Sequence, residues 1–309
     1  MANLKVASVP AERVHTPFTF AKITRSHQEH PEANRDYLLA HSESGLAVIC
    51  DGVGDVLGAG QAARLAAKTI KTRWQHMLTQ LAPGAIPDLA VASRHLLEEA
   101  NQAVLALGKR LAKKEKPSTE EGKKQHYAET TIALALLSPH QDGYTMAYAH
   151  VGDSRIYLLR PNEPLRRLTV DDGYFLWVMN KGELNEQDAL RIDQASRAEE
   201  LSEEEREHFN KRNGISQSLG GEHPTFHLGQ IELYPNDRVL LSTDGIHDNL
   251  TDAEIEELLR KGARTTVART LLQHTVERSQ QDENLCIRAK KDDMSAIVIT
   301  CHFSPENHA

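Results

Sequence analysis

Acidic residues lie close to one end of each of four apolar runs in this chain. Asp51, Asp153 and Asp244 follow three of the runs, and the pair Asp292 and Asp293 precedes the fourth. Every run is rich in β-branched or other apolar residues and predicts a buried strand. The runs are Leu46–Cys50, Tyr148–Val151, Val239–Ser242 and Ala296–Ile299. If these strands lie side by side in a sheet, acids that are far apart in sequence surround one point.

Carboxylates that are brought together repel one another unless a cation lies between them. Oxygen-only ligation selects hard divalent ions such as Mg²⁺ or Mn²⁺. A single Asp-Gly pair is typical of an ordinary turn, because glycine adopts positive φ and aspartate caps the turn. Four acidic segments at strand ends instead predict a divalent metal site.

Composition and charge exclude several classes of protein. The 309 residues include 39% hydrophobic and 26% charged residues, which is ordinary globular composition. A formal net charge of −8 argues against nonspecific binding to nucleic acid or to an anionic membrane. No apolar stretch approaches the roughly 18 residues of a membrane span, and residues 1–10 lack a signal-peptide pattern. We therefore expect a cytoplasmic protein with no membrane partner.

The order of the predicted elements indicates an α+β fold. Strands are followed by two long helical patterns and then by more strands, without regular βαβ alternation, which favours antiparallel sheets with helices packed outside. Residues 1–17 lack periodicity and predict a loose N-terminal arm, and residues 18–303 form one continuous domain. The three cysteines, Cys50, Cys286 and Cys301, are scattered and predict buried thiols without a disulfide framework.

Residues 172–213 break the pattern of strands. A short helical piece, Tyr174–Lys181, is followed by the highly charged segment Glu186–Lys211, which has few large apolar residues. We expect this region to leave the core as a partly helical excursion that buries little of itself.

Together with further short motifs, the acidic segments resemble the metal-dependent protein serine/threonine phosphatases of the protein phosphatase 2C-like family. The resemblance spans about residues 18–303. It rests on Asn34-Arg35-Asp36, Asp51-Gly52-Val53-Gly54, Thr130-Thr131, Gly152-Asp153-Ser154-Arg155, Arg212-Asn213, Ser216, Leu219-Gly220, Ser242-Thr243-Asp244-Gly245 and Asp292-Asp293-Met294-Ser295. The resemblance implies a four-layer α-β-β-α sandwich of two central antiparallel sheets with a binuclear Mn²⁺ or Mg²⁺ centre at one end, and residues 172–213 would be an enlarged flap beside it.

The resemblance also implies a role for each acid. Asp51 would bridge two metal ions, the carbonyl of Gly52 would hold the second ion, and Asp244 and Asp292 would complete the first.

The same resemblance implies less direct metal-binding roles for two further acids. Asp36 would act mainly through metal-bound water, and Asp153 would help to hold a third, more weakly bound ion. Two cations that activate a water molecule and clamp the phosphate make a protein nucleophile unnecessary. No serine or cysteine is therefore assigned as catalytic.

The chain departs from the family pattern near the expected phosphate site. Pro31 stands where the family usually has an arginine that contacts the substrate phosphate. His30, Arg25 and Arg35 lie nearby in sequence, and we assign His30 and Arg35 as candidate substrate-binding residues. Asp293 stands where the family often has asparagine, a small change that leaves Asp292 free to ligate.

Two other motifs carry no chemistry in this interpretation. The glycine-rich stretch Gly52–Gly60 lacks the Gly-Lys-Ser/Thr and Rossmann spacings of nucleotide cradles. His223 and His227 have the spacing of helical zinc ligands, but Pro224 between them argues against a helix, so they are interpreted as ordinary surface histidines.

The resulting hypothesis is a monomeric Mn²⁺/Mg²⁺-dependent phosphatase that acts on phosphoserine and phosphothreonine in proteins, opposite a cognate serine/threonine kinase. Two alternatives stay open. The fold could serve as a phosphoprotein-binding pseudophosphatase, or the enzyme could hydrolyse a small phosphomonoester.

Overall fold

The structure, a computed structural model, describes residues 17–28, 30–54, 58–115, 128–140, 143–221, 223–282 and 285–303. The predicted arm, residues 1–17, lies outside the described residues except for its last position. The same holds for residues 55–57 of the glycine-rich stretch.

In the described part of the chain, ten strands form two five-stranded sheets in which every neighbouring pair is antiparallel. The first sheet has the order β1-β10-β9-β6-β7 and the second has the order β2-β3-β4-β5-β8. The strands are β1 Phe18–Arg25, β2 Tyr37–His41, β3 Leu46–Cys50, β4 Ile132–His140, β5 Gly143–Val151, β6 Arg155–Leu159, β7 Arg166–Arg167, β8 His227–Leu233, β9 Arg238–Ser242 and β10 Met294–Cys301.

Helices cover the outer faces of both sheets. Those of the described residues are α1 Ala59–Thr79, α2 Leu89–Glu115, α3 Tyr174–Asn180, α4 Glu186–Asp193, α5 Glu203–Lys211, α6 Asp244–His247, α7 Asp252–Lys261 and α8 Val267–Ser279. Helices α1 and α2 pack on the second sheet, and α7 and α8 pack on the first. The predicted α+β, four-layer α-β-β-α sandwich is confirmed. Among the helices of the described residues, we find none with the length and apolar character to cross a membrane.

Strand β3 illustrates why the strands in the middle of the sandwich are apolar throughout. Leu46, Val48 and Cys50 belong to the core between the second sheet and its helices, whereas Ala47 and Ile49 belong to the core between the two sheets. Because successive side chains point to opposite faces and both faces are covered, an uninterrupted apolar run is required. Cys50 and Cys301 are buried as predicted, and Cys286 is partly exposed.

Antiparallel pairing in the first sheet brings three acids to one edge. The first residue of β6 and the N-terminal part of β10 both pair with Ser242, the last residue of β9. Asp153 precedes β6, Asp244 follows β9 and Asp292 precedes β10. Strand β9 lies between β6 and β10, and its end meets the starts of both neighbours. All three acids therefore lie at the same edge of the sheet.

The second sheet contributes two acids by the same geometry. Tyr37, the first residue of β2, pairs with Cys50, the last residue of β3. Asp36 precedes β2 and Asp51 follows β3, so these two acids also lie side by side.

The expectation that the charged segment within residues 172–213 buries little of itself is wrong. Ile192, Ala195, Leu201 and Phe209 form a small buried cluster. Asp193, at the end of α4, is also buried. The charged composition suggested solvent exposure, but Asp193 pairs with two arginines of the sandwich inside the protein.

Asp193 is the centre of that buried pairing. Its carboxylate oxygens lie 3.2 Å from an Arg155 nitrogen and 2.8 Å from an Arg167 nitrogen. The fully buried Arg288 donates to the backbone carbonyls of Asp193, at 2.6 Å, and Ala195, at 3.1 Å. Burial alone would raise the pKa of Asp193, but the Arg155, Arg167 and Arg288 guanidinium groups outweigh it and hold the pKa well below its usual value. The segment is thus anchored to the sandwich by ion pairs.

Replacing Asp193 with alanine should cost about 3 kcal/mol of unfolding free energy, because it leaves buried guanidinium groups without their carboxylate. Asp188→Ala is the matched control, since Asp188 lies on the same helix with 47% of its side chain exposed and should change stability by less than about 0.5 kcal/mol. Urea denaturation of the two variants measures both values. Equal effects in the two variants would contradict the anchoring role.

The effect of Asp193→Asn should depend on pH. Because the pKa of Asp193 is lowered in the folded protein, its contribution is complete above the unfolded value of about 3.9 and is lost as the pH falls through the lower folded value. The stability difference between wild type and this variant should therefore be constant from about pH 5 to 8 and shrink in stronger acid. A difference that grows on acidification would exclude this explanation.

Candidate metal centre

Most of the predicted ligands line one cavity at the acidic edge of the two sheets. The cavity has a volume of about 300 Å³. Its lining consists of Arg35, Asp51, Gly52, Val53, Gly54, Thr131, Asp153, Asn213, Ile215, Asp244, Asp292 and Asp293. Asp36 is buried beside this lining, and its Oδ2 accepts a hydrogen bond of 2.8 Å from the Thr243 hydroxyl.

Hydrogen bonds to its backbone hold Asp51 in place. The Thr130 hydroxyl and the Thr131 amide donate to the Asp51 carbonyl at 2.7 and 2.8 Å. The Asp51 amide donates to the Thr131 hydroxyl at 3.2 Å, and that hydroxyl lies 2.8 Å from the hydroxyl of Ser154. One threonine pair therefore connects the Asp51 turn to the turn that carries Asp153.

Two glycines allow the acidic turns to approach other backbone closely. A Cβ on Gly245 would lie 1.9 Å from the Asp293 carbonyl oxygen, so the turn after β9 fits against the start of β10 only without a side chain. Gly152 has φ of +93° and lies against Thr131, where a Cβ would be 2.8 Å from that side chain. The glycines of the acidic motifs therefore set how closely the acids approach.

Each carboxyl group at this edge makes the ionisation of its neighbours less favourable. Burial raises the pKa of Asp36 to about 8, hydrogen bonds from Ser295 and Thr243 oppose the rise, and the charges of Asp293 and Asp244 add to it. Buried carboxyls in such a site are more stable protonated, or with a cation, than as free anions.

Three neighbouring carboxyls show the same effect. Burial is the main reason that the pKa values of Asp51 and Asp153 lie well above normal, and nearby carboxylates raise them further. The pKa of Asp244 is also raised by burial, although the Lys290 ammonium counteracts part of the shift.

Two buried carboxylate oxygens point to a missing positive partner. Asp36 Oδ1 and Asp244 Oδ1 have no hydrogen-bond partner in the described part of the chain. Unpaired buried acceptors are costly, and a divalent cation would satisfy them. The donor set is all oxygen, which fits Mn²⁺ or Mg²⁺.

The Lys290 ammonium lies among three of the acids. It contacts Asp244 Oδ2, and it is 2.7 Å from Asp248 Oδ2 and 3.1 Å from Asp292 Oδ2. With the side chains in this arrangement, no three His, Cys, Asp or Glu residues of the described ranges are close enough together to hold a metal ion.

Sequence reasoning missed both Lys290 and Asp248. Asp248 stands four residues after Asp244 at the end of the short helix α6, a spacing that places both on one helix face. Lys290 stands two residues before Asp292, and its proximity to an acidic segment was the available signal.

Asp293 has a structural role, because hydrogen bonds occupy both of its carboxylate oxygens. It is buried, and its two oxygens accept backbone hydrogen bonds of 2.7 Å from His27 and from Arg35. These bonds attach the loop that precedes Asp36 to the start of β10. Asp292 remains at the cavity, as expected, with Oδ1 accepting from the Asp293 amide at 2.8 Å.

The two candidate phosphate contacts occupy different positions. Arg35 lines the cavity, whereas His30 is not part of the lining and places Nδ1 3.8 Å from Asp293 Oδ1. The geometry therefore favours Arg35 over His30 as a phosphate contact.

His227 lies at the surface, as interpreted, with 38% of its side chain exposed, but it also makes specific contacts. Its ring stacks on His150 with centroids 4.7 Å apart, and its Nε2 lies 2.8 Å from Asp172 Oδ1. The other oxygen of Asp172 accepts from the Gly152 amide at 2.9 Å. His227 thus supports the turn that carries Asp153, a role that appears only when β5 and β8 pair.

Comparison with known proteins adds independent findings. The family model described as protein phosphatase 2C matches residues 23–285. The serine/threonine phosphatase stp of Listeria innocua is 22% identical over 240 residues, which cover 75% of this chain and 79% of that protein. The protein phosphatase PhpP of Streptococcus pneumoniae is 25% identical over 232 residues, or 73% of this chain and 78% of that protein.

A solved structure has the same fold. It is the catalytic domain of the serine/threonine protein phosphatase PstP in complex with two manganese ions, and it superimposes with a TM-score of 0.63 at 21% identity. The match covers 93% of this chain and 99% of that one. At this identity the likeness establishes the fold.

Asp36→Asn should raise the thermal stability of the metal-free protein at pH 8 by a few degrees. The amide oxygen can still accept from Thr243, but the buried charge is gone. Because the folded pKa of about 8 exceeds the unfolded value of about 3.9, wild type loses stability relative to the variant as the pH rises from 4 to 8.

Melting curves in EDTA between pH 4 and 9 measure this difference, with Asp188→Asn as the exposed control. Addition of Mn²⁺ should stabilise wild type more than the variant. Parallel pH profiles for wild type and Asp36→Asn would show that the buried charge carries no cost.

Proposed function

The chain belongs to the protein phosphatase 2C family, and on that premise we propose that it hydrolyses phosphoserine and phosphothreonine in proteins at a centre of two Mn²⁺ or Mg²⁺ ions. The observation that carries the proposal is the convergence of Asp51, Asp153, Asp244 and Asp292 on one cavity. The pKa values of the first three are raised by burial and by neighbouring carboxylates. A cavity lined by carboxylates that repel one another favours the binding of cations.

Each acid has a proposed task. Asp51 would ligate both ions, the Gly52 carbonyl would hold the second ion, and Asp244 and Asp292 would complete the first. Asp36 is buried behind the cavity, and its Oδ1 has no hydrogen-bond partner among the described residues; it would orient solvent at the centre.

Asp153 would help to hold a third ion. When bound, divalent cations would lower the pKa of a water molecule and neutralise the charge of the phosphate. The chain's own contribution is to keep the carboxylates fixed and to place Arg35, which lines the cavity, where its guanidinium pairs with the phosphate.

A protein nucleophile is not needed, and the two buried thiols are unsuited to the role. Burial raises the pKa of the Cys50 thiol far above normal, and the charge of Asp36 adds to the effect. Burial does the same for Cys301. Thiols without accessible thiolate are poor nucleophiles.

The proposed substrate is a phosphorylated protein, in keeping with the names of the serine/threonine phosphatases that the chain resembles. A cognate serine/threonine kinase would supply it, and the phosphatase would act as a cytoplasmic monomer. In this proposal residues 18–303 form the catalytic domain, residues 1–17 are a loose arm and residues 172–213 are an enlarged flap. The flap reaches the cavity through Asn213.

One alternative has a specific observation in its favour. The Lys290 ammonium lies among Asp244, Asp248 and Asp292, where it could replace a metal, and Pro31 stands where the family usually has an arginine. A pseudophosphatase that only binds phosphoproteins would share these features. Turnover decides between the two functions.

Wild type should hydrolyse a phosphoserine peptide with Mn²⁺ and lose this activity in EDTA. Asp51→Asn and Asp244→Asn should each lower kcat by about 10²-fold or more, while Asp188→Asn and thiol alkylation should leave it unchanged. Steady-state phosphate release measures these effects. Binding of the phosphopeptide by wild type without turnover would support the pseudophosphatase, and turnover of an aryl phosphate alone would support a small substrate.

The exposed flap acids should favour basic phosphosites. Removing the charges of Glu199, Glu203 and Glu204 by substitution with glutamine should lower kcat/KM for an arginine-flanked phosphopeptide several-fold at low salt and leave aryl phosphate turnover unchanged.

The control is the triple glutamine variant at Glu98, Glu257 and Glu277, three exposed acids on the outer helices. Kinetics at two ionic strengths compare the two triple variants. Equal losses in both, or an equal loss on both substrates, would refute selection by the flap.

A further inference from the structure

Lys290 is held in a defined position next to the acids. Its amide donates to Asn249 Oδ1 at 3.1 Å, and its carbonyl accepts from Asn249 Nδ2 at 2.9 Å. Asn249 is fully buried and also donates to the Gly245 carbonyl at 2.8 Å. The backbone of Lys290 is therefore tied to the turn that carries Asp244.

The side chain of Lys290 differs from an ordinary surface lysine. Only 20% of it is exposed, and its ammonium meets three carboxylates. Two of the three, Asp244 and Asp292, are the proposed ligands of the first metal ion, and the third, Asp248, has no metal role in the proposed function. The ammonium and the metal ion therefore share two partners.

Asp248 can hold the Lys290 ammonium nearby when Asp244 and Asp292 bind a metal ion. The Asp248 side chain is only 6% exposed, and its other oxygen lies 3.9 Å from Nε of Arg212. It thus remains part of a buried ion cluster whether or not Asp244 and Asp292 bind a metal ion.

We propose that Lys290 is a tethered cation that occupies the place of a metal ion among Asp244, Asp248 and Asp292, and that Mn²⁺ or Mg²⁺ binds by displacing its ammonium from Asp244 and Asp292. This inference rests on the proposed function, because it assigns those two acids to the metal.

The exchange has two consequences. Without metal, Lys290 offsets part of the repulsion among the acids and stabilises the fold. A metal ion that binds must first displace the ammonium from two carboxylates. The apparent affinity of the site for the metal ion is therefore lower than it would be without the lysine. The centre then loads at a higher metal concentration, which makes activity responsive to the supply of divalent cations over that range.

Calorimetric titration of the metal-free full chain with MnCl₂ tests the exchange. Lys290→Met keeps most of the length of the side chain and removes its charge, and this variant should bind Mn²⁺ at least about 10-fold more tightly than wild type. The melting temperature of this variant in EDTA should fall by a few degrees. Lys291→Met, which removes the same charge from the adjacent exposed residue, should stay within about twofold of wild type because solvent and salt screen it.

A measurement on wild type keeps the test independent of how well the variants fold. Acetylation of Lys290 by an N-hydroxysuccinimide ester, followed by mass spectrometry, should be slow in EDTA and several-fold faster with Mn²⁺, since displacement exposes the amine. Lys291 should react equally in both conditions.

The outcomes separate this inference from the proposed function. If wild type binds Mn²⁺ but Lys290→Met binds it no more tightly, or if Mn²⁺ does not speed acetylation of Lys290, the exchange is refuted and the metal centre stands. If neither wild type nor Lys290→Met binds Mn²⁺, the metal centre fails and the exchange fails with it.

Discussion

The mutual repulsion of carboxylates at one edge of two sheets is the constraint on which the rest of this structure depends. Antiparallel pairing puts the acids of one sheet side by side and those of the other sheet next to them. Burial removes the water that would screen their charge. Burial, with the charges of neighbouring carboxylates, raises the pKa of Asp36, and one oxygen each of Asp36 and Asp244 has no hydrogen-bond partner among the described residues. A cation resolves the repulsion, either a metal ion or the ammonium of Lys290.

The scaffold must hold these acids together against that repulsion. Apolar strands packed on both faces supply the rigid frame, and hydrogen bonds fix the turns themselves. Thr130 and Thr131 fasten the Asp51 turn, while Asp293 fastens the loop before Asp36. The flap joins the same frame because Arg155, close to the Asp153 turn, pairs with the flap residue Asp193. The Arg155 guanidinium group and the hydrogen bonds between Asp172 and Gly152 therefore link the flap to the turn that carries Asp153.

Much of the fold and most of the candidate site could be predicted from the sequence. Apolar runs such as Leu46–Cys50 marked the strands, because a strand covered on both faces has no polar positions. The acids that end these runs marked the site, since strand ends meet at a sheet edge. The flap was predicted less well. Its charged composition indicated exposure, whereas Asp193 is buried with Arg155 and Arg167, and composition does not tell which charges pair inside.

The sequence by itself determined the α+β class of the fold and the identity of the acids, because local periodicity and residue type carry that information, while the family resemblance implied the four layers. Only the tertiary structure decided the partners of the long or buried polar side chains. Lys290 reaches Asp244 and Asp248 across more than 40 residues of chain, and His227 reaches Asp172 across 55. Such contacts depend on strand register and on the direction of a flexible side chain, neither of which leaves a local pattern in the sequence.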